Sequence, residues 1–470
     1  MSLIQDEVLP EQEITPIGFN ESDCFTLNCK IKKLTPEIID EINKYSHIVF
    51  TGDFNDDLTK KEGDKIVSIF TENVKFLKMN GAFNKPLDSL SSIETIYLET
   101  RIYSYPLDNL PNTLLGLQLS NPRESRIGTT KLKAITKKLP DNLEFFSLAL
   151  RDLSNLQLEI FPKNLKIFHF YFYEYFFILP PLPESIEELK LFDATNYPFL
   201  NQYLPNLKKL ICGHYFNLPL DNLPAGLESI IIRQLSMYQD SNFNQPLCKD
   251  GKSILPENLR ELRLETNVMT HPIVAYPRNL KKLYLDVNCY CNLENLPDGL
   301  EDLSIVSGKH LRMDYSFDNL PSSLKRLRVE YCKCDKTFDF LPVNLEQLFL
   351  LTDPFTQPID NLPIGLKYLD VNLDGNQTIY NLPKGLEYLR INTDTKYNQP
   401  IMNLPKNLKY LNCNNRFDSE IIELPDSLIW VKVGSHYTFI NNLKSRYGDK
   451  LIIRPKRRHY DTGTYDSYTG

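Results

Sequence analysis

The stretch LPIGLKYLDV, residues 362–371, decides the fold because the chain keeps repeating it. LPENLRELRL starts at Leu255, LPSSLKRLRV at Leu320 and LPKNLKYLNC at Leu404. Aligned on Leu-Pro, further copies begin at Leu110, Leu139, Leu182, Leu204, Leu223, Leu296, Leu341, Leu382 and Leu424. Phe161-Pro162 and Tyr276-Pro277 fill two gaps with an aromatic residue in the leucine slot, and Phe70 and Leu90 fit the register without proline. The common spacing is 20 to 22 residues, with longer intervals after Leu110 and Leu223. A second phrase recurs upstream: FNKPL at Phe83, FNLPL at Phe216, FNQPL at Phe243 and YNQPI at Tyr397.

A fixed period of this size is the mark of a solenoid. Each copy ends in L-x-x-L-x-L, whose last part alternates strictly. Two apolar side chains point one way and the residue between them points the other, which is a short strand with one buried face. A lone strand cannot cover that face; an equivalent strand about 4.8 Å away in the next coil can. The expected fold is therefore a β-rich leucine-rich-repeat solenoid. One long parallel sheet lies on one face, turns and extended segments on the other, with short helices mainly in the terminal caps.

The residue three after the anchor leucine is Gly at 226, 299, 365 and 385, and Asn at 142, 164, 258, 279, 344 and 407. These types take a left-handed backbone most easily, so a tight left-handed turn is expected there. The anchor leucine, the strand apolars and the Phe of F-N are expected to fill the interior. The Asn before the anchor (Asn109, Asn222, Asn295, Asn319, Asn361, Asn381, Asn403) suggests a hydrogen-bonded ladder between coils.

The residues and period resemble the FNIP repeat, a leucine-rich-repeat variant of social amoebae and of giant viruses that infect amoebae. The resemblance runs from about Ile48 to Val433. It implies a solenoid with a parallel sheet along one side. Some members of that family carry an F-box before the repeats, which suggests substrate-recognition subunits of ubiquitin ligases. Here Leu9-Pro10-Glu11 is not followed by the helical pattern an F-box needs.

Solenoid ends need caps. Thr35-Pro36-Glu37 reads as a helix N-cap with Pro in the first turn, leading a helix to about Tyr45, and His47 to Phe50 as a strand. Phe439 to Tyr447 reads as a helix stopped by Gly448, and Leu451 to Ile453 as a last strand. The expected layout is a leader and cap over 1–46, the solenoid over 47–433, a cap over 434–455 and a disordered tail over 456–470. The insertion Gln234 to Ser253 reads as a lid, a flap or a disordered loop.

Net charge is −7, which argues against a chain held to nucleic acid by overall charge. No stretch approaches the roughly 20 apolar residues of a membrane span, and the first residues lack the basic and apolar parts of a signal peptide. An intracellular protein is expected. Of nine cysteines, two pairs have C-x-C spacing, Cys289/Cys291 and Cys332/Cys334. No histidine sits at zinc-finger distance from either, so they read as thiols of a reducing compartment. No phosphate loop, dinucleotide fingerprint, metalloprotease or nucleophile-elbow motif occurs. No catalytic residue, metal or cofactor is expected, and His169 reads as a lone surface histidine beside Tyr171.

That leaves the exposed face of the sheet. Position six after the anchor is Tyr368, Tyr388, Tyr410 and Trp430 in the last copies; position eight is Asp370, Arg390, Asn412 and Lys432. In-register strands would line these up as an aromatic stripe beside a polar stripe of mixed sign. Rings with a polar handle make good protein-binding anchors, and they also stabilise neighbouring strands. A second stretch is charged: Glu261 and Arg263, Lys282 and Tyr284, Arg326 and Arg328. The expected function is a non-enzymatic scaffold that binds a protein partner on this face, with no nucleic acid and no membrane. The alternatives are a ubiquitin-ligase subunit, with ligase components as partners and the N-terminal cap as a diverged F-box, and an enzyme or carbohydrate-binding module using the rings as a sugar platform.

Overall fold

The computed structural model describes residues 24–27, 33–52, 54–100, 102–120, 131–132, 134–149, 155–171, 180–192, 203–213, 215–233, 241–306, 316–330, 338–351, 359, 361–373, 379–393, 399–414 and 416–453. The expected leader over 1–23, the tail over 456–470 and the pair Cys332/Cys334 lie outside them. The described residues fall into two compact units. The first takes those of Met1–Leu143 and Asp152–Gln157; the second takes those of Glu144–Arg151 and Leu158–Pro455.

In the first unit, strands Cys24–Leu27, His47–Phe50, Phe76–Gly81, Thr95–Thr100 and Gly116–Ser120 pair in that order, all parallel. The expected cap helix spans Pro36–Ile42, with Thr35 as N-cap. A hairpin, Thr59–Glu62 with Lys65–Ser68, projects between two coils. Gly81 has φ +88, and a Cβ there would lie 2.2 Å from the Gly52 carbonyl oxygen. Only glycine fits that approach.

In the second unit the parallel strands follow one another from Phe145–Ala149 to Leu451–Ile453. The fold is a parallel β-solenoid of leucine-rich type. Register is kept throughout: Leu348, Leu369, Leu389, Leu411 and Val431 are successive partners, each 0% exposed. Leu366, Leu386 and Leu408, the residues before the strands, are equally buried. The Phe of F-N stacks on its counterpart one coil on, as Phe216 on Phe243 at 5.9 Å and Phe417 on Tyr437 at 5.8 Å. The anchor leucine is less uniform: Leu182 and Leu204 are buried, whereas Leu362, Leu382 and Leu404 are half-buried and the following proline takes the interior place.

The turn before each strand is closed by Leu366 N donating to the Pro363 carbonyl (3.1 Å) and its equivalents. It is right-handed. Described residues with positive φ are Gly52, Gly63, Gly81, Asp250, Gly251 and Asn403, so the left-handed turn at the third position does not form. A Pro-x-x-Leu turn needs no positive φ, and the Gly or Asn serves contact with the preceding coil instead. Asn344 Nδ2 donates to the Ser322 carbonyl (2.9 Å), Asn279 to Glu257 (3.0 Å) and Asn407 to Lys384 (3.1 Å). Ser185 and Ser427 do the same through their hydroxyls, both at 2.7 Å. At two of the glycines the coils approach closely: a Cβ on Gly365 would meet the Val343 carbonyl oxygen at 2.9 Å and one on Gly385 the Ile364 carbonyl oxygen at 3.4 Å.

The inter-coil ladder therefore runs through the third position. Of the asparagines before the anchor, Asn295 bonds the Val274 carbonyl (3.0 Å) and Asn361 bonds Asp339 (2.8 Å), while Asn222, Asn319, Asn381 and Asn403 stay exposed. Another ladder uses the Asn of F-N. Asn217 Oδ1 accepts from Asn244 N and Asn244 Oδ1 from Thr270 N, each at 2.9 Å. Part of the supposed insertion is thereby an ordinary coil: Phe243 and Leu247 are buried, and Cys248–Lys249 pairs with Lys252–Ser253. Residues 234–240 lie outside the description. At the C-terminal end, Ile440–Tyr447 is a helix, but Gly448 (φ −49) does not reverse it; Gly448–Lys450 continues as a 3-10 turn into strand Leu451–Ile453.

Two glycines test the close-approach account. Gly365→Ala is expected to lower the denaturation midpoint by an amount equivalent to about 1–3 kcal/mol, the usual range for forced overpacking. Gly226→Ala, where a Cβ meets nothing within 4 Å, is expected to stay within about 0.5 kcal/mol of the parent. Equal losses at both sites would refute the distinction.

Candidate protein-binding face

The side chains between the buried strand residues form rows along the open face of the sheet. In the last coils of the second unit the partners are Tyr368, Tyr388, Tyr410 and Trp430 in one row, and Asp370, Arg390, Asn412 and Lys432 in the next. The rings gather. Tyr368 and Tyr388 stack at 4.4 Å with planes 10° apart, and Tyr410 lies 5.2 Å from Trp430. Trp430 also leans across to meet Tyr388 edge-on at 6.1 Å. Phe349, from position eight of its own coil, joins Tyr368 at 4.8 Å. The result is a cluster of five rings rather than a stripe of four. All four position-six rings are half-buried.

The position-eight row is not the open polar stripe the alternation suggested. Asp370 is 2% exposed and Asn412 8%, each engaged by side chains of neighbouring strands. Asn392 Nδ2 donates to Asp370 (2.8 Å), Arg390 lies 3.8 Å from it, and Asn412 Nδ2 donates to the Tyr388 hydroxyl (3.2 Å). Asn412 thereby ties down the Tyr388 ring, while Asp370 ties Asn392 and Arg390 together; Arg390 and Lys432 remain half-buried. Burial raises the Tyr388 hydroxyl above its ordinary value, with the Asn412 bond opposing.

The charged stretch pairs both across strands, as Arg326 with Asp302 at 3.7 Å, and within them. Arg263 bonds Glu265 two residues on and lies over the Tyr284 ring at 4.1 Å; Arg328 bonds Glu330 likewise. Asp286, the register partner of Glu265, is pushed up to about 7, first by burial and then by Glu265 and Glu330, against the pull of Arg263.

His169 corrects its surface reading. It is 4% exposed, donates from Nε2 to the Glu188 carboxylate (2.8 Å) and meets Phe145 edge-on at 5.4 Å. Its row faces outward between Ser147 and Lys190, but the Phe145 ring and Glu188 close over it. Burial lowers its pKa, opposed by Glu188. Among the described residues no group of three or more His, Cys, Asp or Glu is placed to hold a metal, and no helix is long and apolar enough to cross a membrane.

A feature the motif reading missed runs beside these rows, one residue before position six. Glu144, Lys166, Glu187, Lys208 and Glu228 alternate in sign; after Arg260 and Lys281, so do Glu301, Lys325, Glu346, Lys367, Glu387 and Lys409. Neighbours pair, as Lys208 with Glu187 and Lys409 with Glu387, both at 2.7 Å, and Lys325 with Glu301 at 2.7 Å. The signal was present in the sequence as alternating sign at a fixed repeat position. A groove lined by Ser323, Lys325, Asn344, Glu346, Gly365 and Lys367 follows this ladder rather than the rings.

Comparison with known proteins places a match to the FNIP Repeat family at residues 397–436, the stretch that carries Tyr410 and Trp430. The chain carries an FNIP repeat there. Human Toll-like receptor 8 is 32% identical over 165 residues, which is 30% of this chain. The chain spans 16% of the length of that receptor. Among solved structures, the circular leucine-rich-repeat protein CroV588 is 18% identical, covering 88% of this chain and 80% of its own, with TM-score 0.42. YopM from Yersinia enterocolitica is 16% identical, covering 84% and 92%, also at 0.42.

The raised Asp286 pKa has a signed consequence. The ordinary value is 3.8 and the folded value about 7. Between them the folded chain binds more protons than the unfolded one, so this group's contribution to stability falls as pH rises through that window. Asp286→Asn is expected to gain stability over the parent as pH goes from 4 to 8, with the gain complete above 7. Denaturation midpoints of both chains across that range check it; a difference that does not change with pH counts against the assignment.

Proposed function

We propose that the chain is a non-enzymatic scaffold that binds a protein partner on the open face of its sheet, with the ring cluster as anchor. The carrying observation is the gathering of Tyr368, Tyr388, Tyr410 and Trp430, half-buried, over a fixed polar layer. Rings held in place lose little entropy on binding, and each buries a large area while keeping a polar handle. Rigid presentation by neighbouring strands is the feature that distinguishes an anchor from a mobile side chain. Arg390 and Lys432 flank the rings as contact residues, while Asn412 supports Tyr388 and Asp370 supports Arg390. Solenoids of this kind offer extended surfaces suited to such use.

In this reading residues 47–433 are the binding solenoid, 1–46 and 434–455 its caps, and 456–470 a tail. No nucleic acid, membrane, metal or cofactor enters the function. An intracellular setting is part of the proposal, supported by the free thiols of Cys212, Cys248 and Cys289. The F-box alternative gains no specific support: among the described residues before His47 the one helix is Pro36–Ile42, seven residues long.

Proximity labelling in the native cell identifies the partner, and the purified pair then tests the surface. Tyr388→Ala with Tyr410→Ala is expected to cost about 2 kcal/mol or more of binding, the range of aromatic hot spots, with the circular dichroism spectrum unchanged. Undiminished affinity would remove the ring cluster as the anchor.

A further inference from the structure

The turns that precede the strands form an edge of the second unit, and along it successive coils set equivalent residues in rows. From Asp298 to Lys409 every residue of these rows is among the described ones. Two residues after the anchor stand Asp298, Ser322, Val343, Ile364, Lys384 and Lys406, all exposed. The third position holds Gly299, Ser323, Asn344, Gly365, Gly385 and Asn407. The fifth holds the charged run Glu301, Lys325, Glu346, Lys367, Glu387 and Lys409. Backbone bonds fix the register, because each fifth-position residue from Lys325 onward donates its N–H to the carbonyl of the member before it, at 2.8–2.9 Å. The third position touches the second position of the preceding coil, as Asn344 does Ser322 and Asn407 does Lys384.

Aliphatic exposure is concentrated at the middle of this run. Val343 is 63% exposed and Ile364 74%, on adjacent coils, while the other second-position members are polar or charged. The third position beside them carries small or short side chains. A groove opens there, lined by members of all three rows, Val343, Asn344, Gly365 and Glu346 among them.

The edge is complementary to itself when turned end for end. A two-fold axis laid across the rows, between the Glu346 and Lys367 coils, sets Glu346 against Lys367 of a second copy. The same axis sets Lys325 against Glu387 and Glu301 against Lys409. At the second position it brings Asp298 to Lys406, and Val343 to Ile364 in the groove. At the third it brings Asn344 to Gly365 and Ser323 to Gly385, so no bulky side chain holds the copies apart. An axis along the rows does the opposite: it puts Glu346 on Glu346 and is repelled. The earlier alternating run, Glu144 to Glu228, has Glu at both ends. Turned end for end it sets Glu144 against Glu228 and Glu187 against itself.

We propose that this edge is a self-association surface on which two copies of the chain pair antiparallel. Val343 and Ile364 of each copy are buried against the other at the axis, and the Lys–Glu rows are shared across it. Aliphatic burial supplies the attraction; the charges choose the orientation. Coils about 4.8 Å apart give a contact roughly 25 Å long. That is the small end of specific interfaces, so the association is weak and salt weakens it further. The proposal is independent of the reading of the ring cluster.

Sedimentation velocity on the full chain at pH 7, with reductant present, tests it over roughly 1–100 µM protein, the range of a small interface. At about 50 mM salt the parent is expected to pass from monomer toward dimer in that range, and to do so less at about 500 mM. Ile364→Glu is expected to weaken the dimer about tenfold or more by burying a charge at the axis, with the melting temperature unchanged because the side chain is exposed. Glu346→Lys and Lys367→Glu each set like charges across the axis, and each is expected to weaken self-association about tenfold or more. Mixed one to one, these two variants restore opposite signs at both places, and the mixed dimer is expected within about threefold of the parent's affinity. That rescue separates pairing between copies from any loss within each chain. A parent that stays monomeric assigns the edge to a different partner and overturns the proposal. So does a dimer indifferent to salt, a dimer that Ile364→Glu leaves intact, or a mixture that associates no better than its separate components.

Discussion

Each coil of this protein has an interior that only its neighbours can close. Leu369 and Val371 point inward from one strand, and both are 0% exposed because Leu348 and Leu350 lie on one side and Leu389 and Ile391 on the other. Burying such side chains is the dominant favourable term, about 1.5–3 kcal/mol each, and a solitary coil would forfeit most of it. Stability is thus a property of adjacency. Everything on the outer face follows from the same constraint. Once inward residues are in register, outward ones must be, and position six becomes a row of rings whether or not the rings attract one another.

Hydrophobic packing alone does not choose which coil lies beside which, since the coils share one apolar pattern. Polar ladders supply that choice. The third-position Asn and Ser bond the backbone of the preceding coil, and the F-N asparagines cap an amide of the following one. The alternating Lys and Glu row adds a rule against skipping a coil: omission of a member inside either alternating run sets like charges side by side. Each pair is exposed and contributes on the order of 0.2–1 kcal/mol, so the row acts through its repetition. Its break at Arg260 and Lys281 is shared with Glu228 on one side and Glu301 on the other.

The period, the alternation and the cap signals at Thr35 and Leu451 made the architecture and the strand register readable from residues alone. Hydrophobic patterning repeats too often here to be ambiguous. What was less legible depends on contacts that span coils. Gly365 and Asn344 suggested a left-handed turn, whereas their role is set by the distance to the previous coil. The outward direction of Asp370, Asn412 and His169 was readable, but their burial was not, because it comes from side chains of neighbouring strands.

In-register stacking in the second unit can be tested by cross-linking. Asn372 and Asn392 are register partners on the open face, and neighbouring strands bring such Cα atoms about 4.8 Å apart, within disulfide reach. Asn372→Cys with Asn392→Cys is predicted to form a mapped disulfide under mild oxidation, while Asn372→Cys with Ile391→Cys, whose side chains point to opposite faces, is predicted not to. A bridge between 372 and 391, or none between 372 and 392, would contradict the stacking on which the binding face depends.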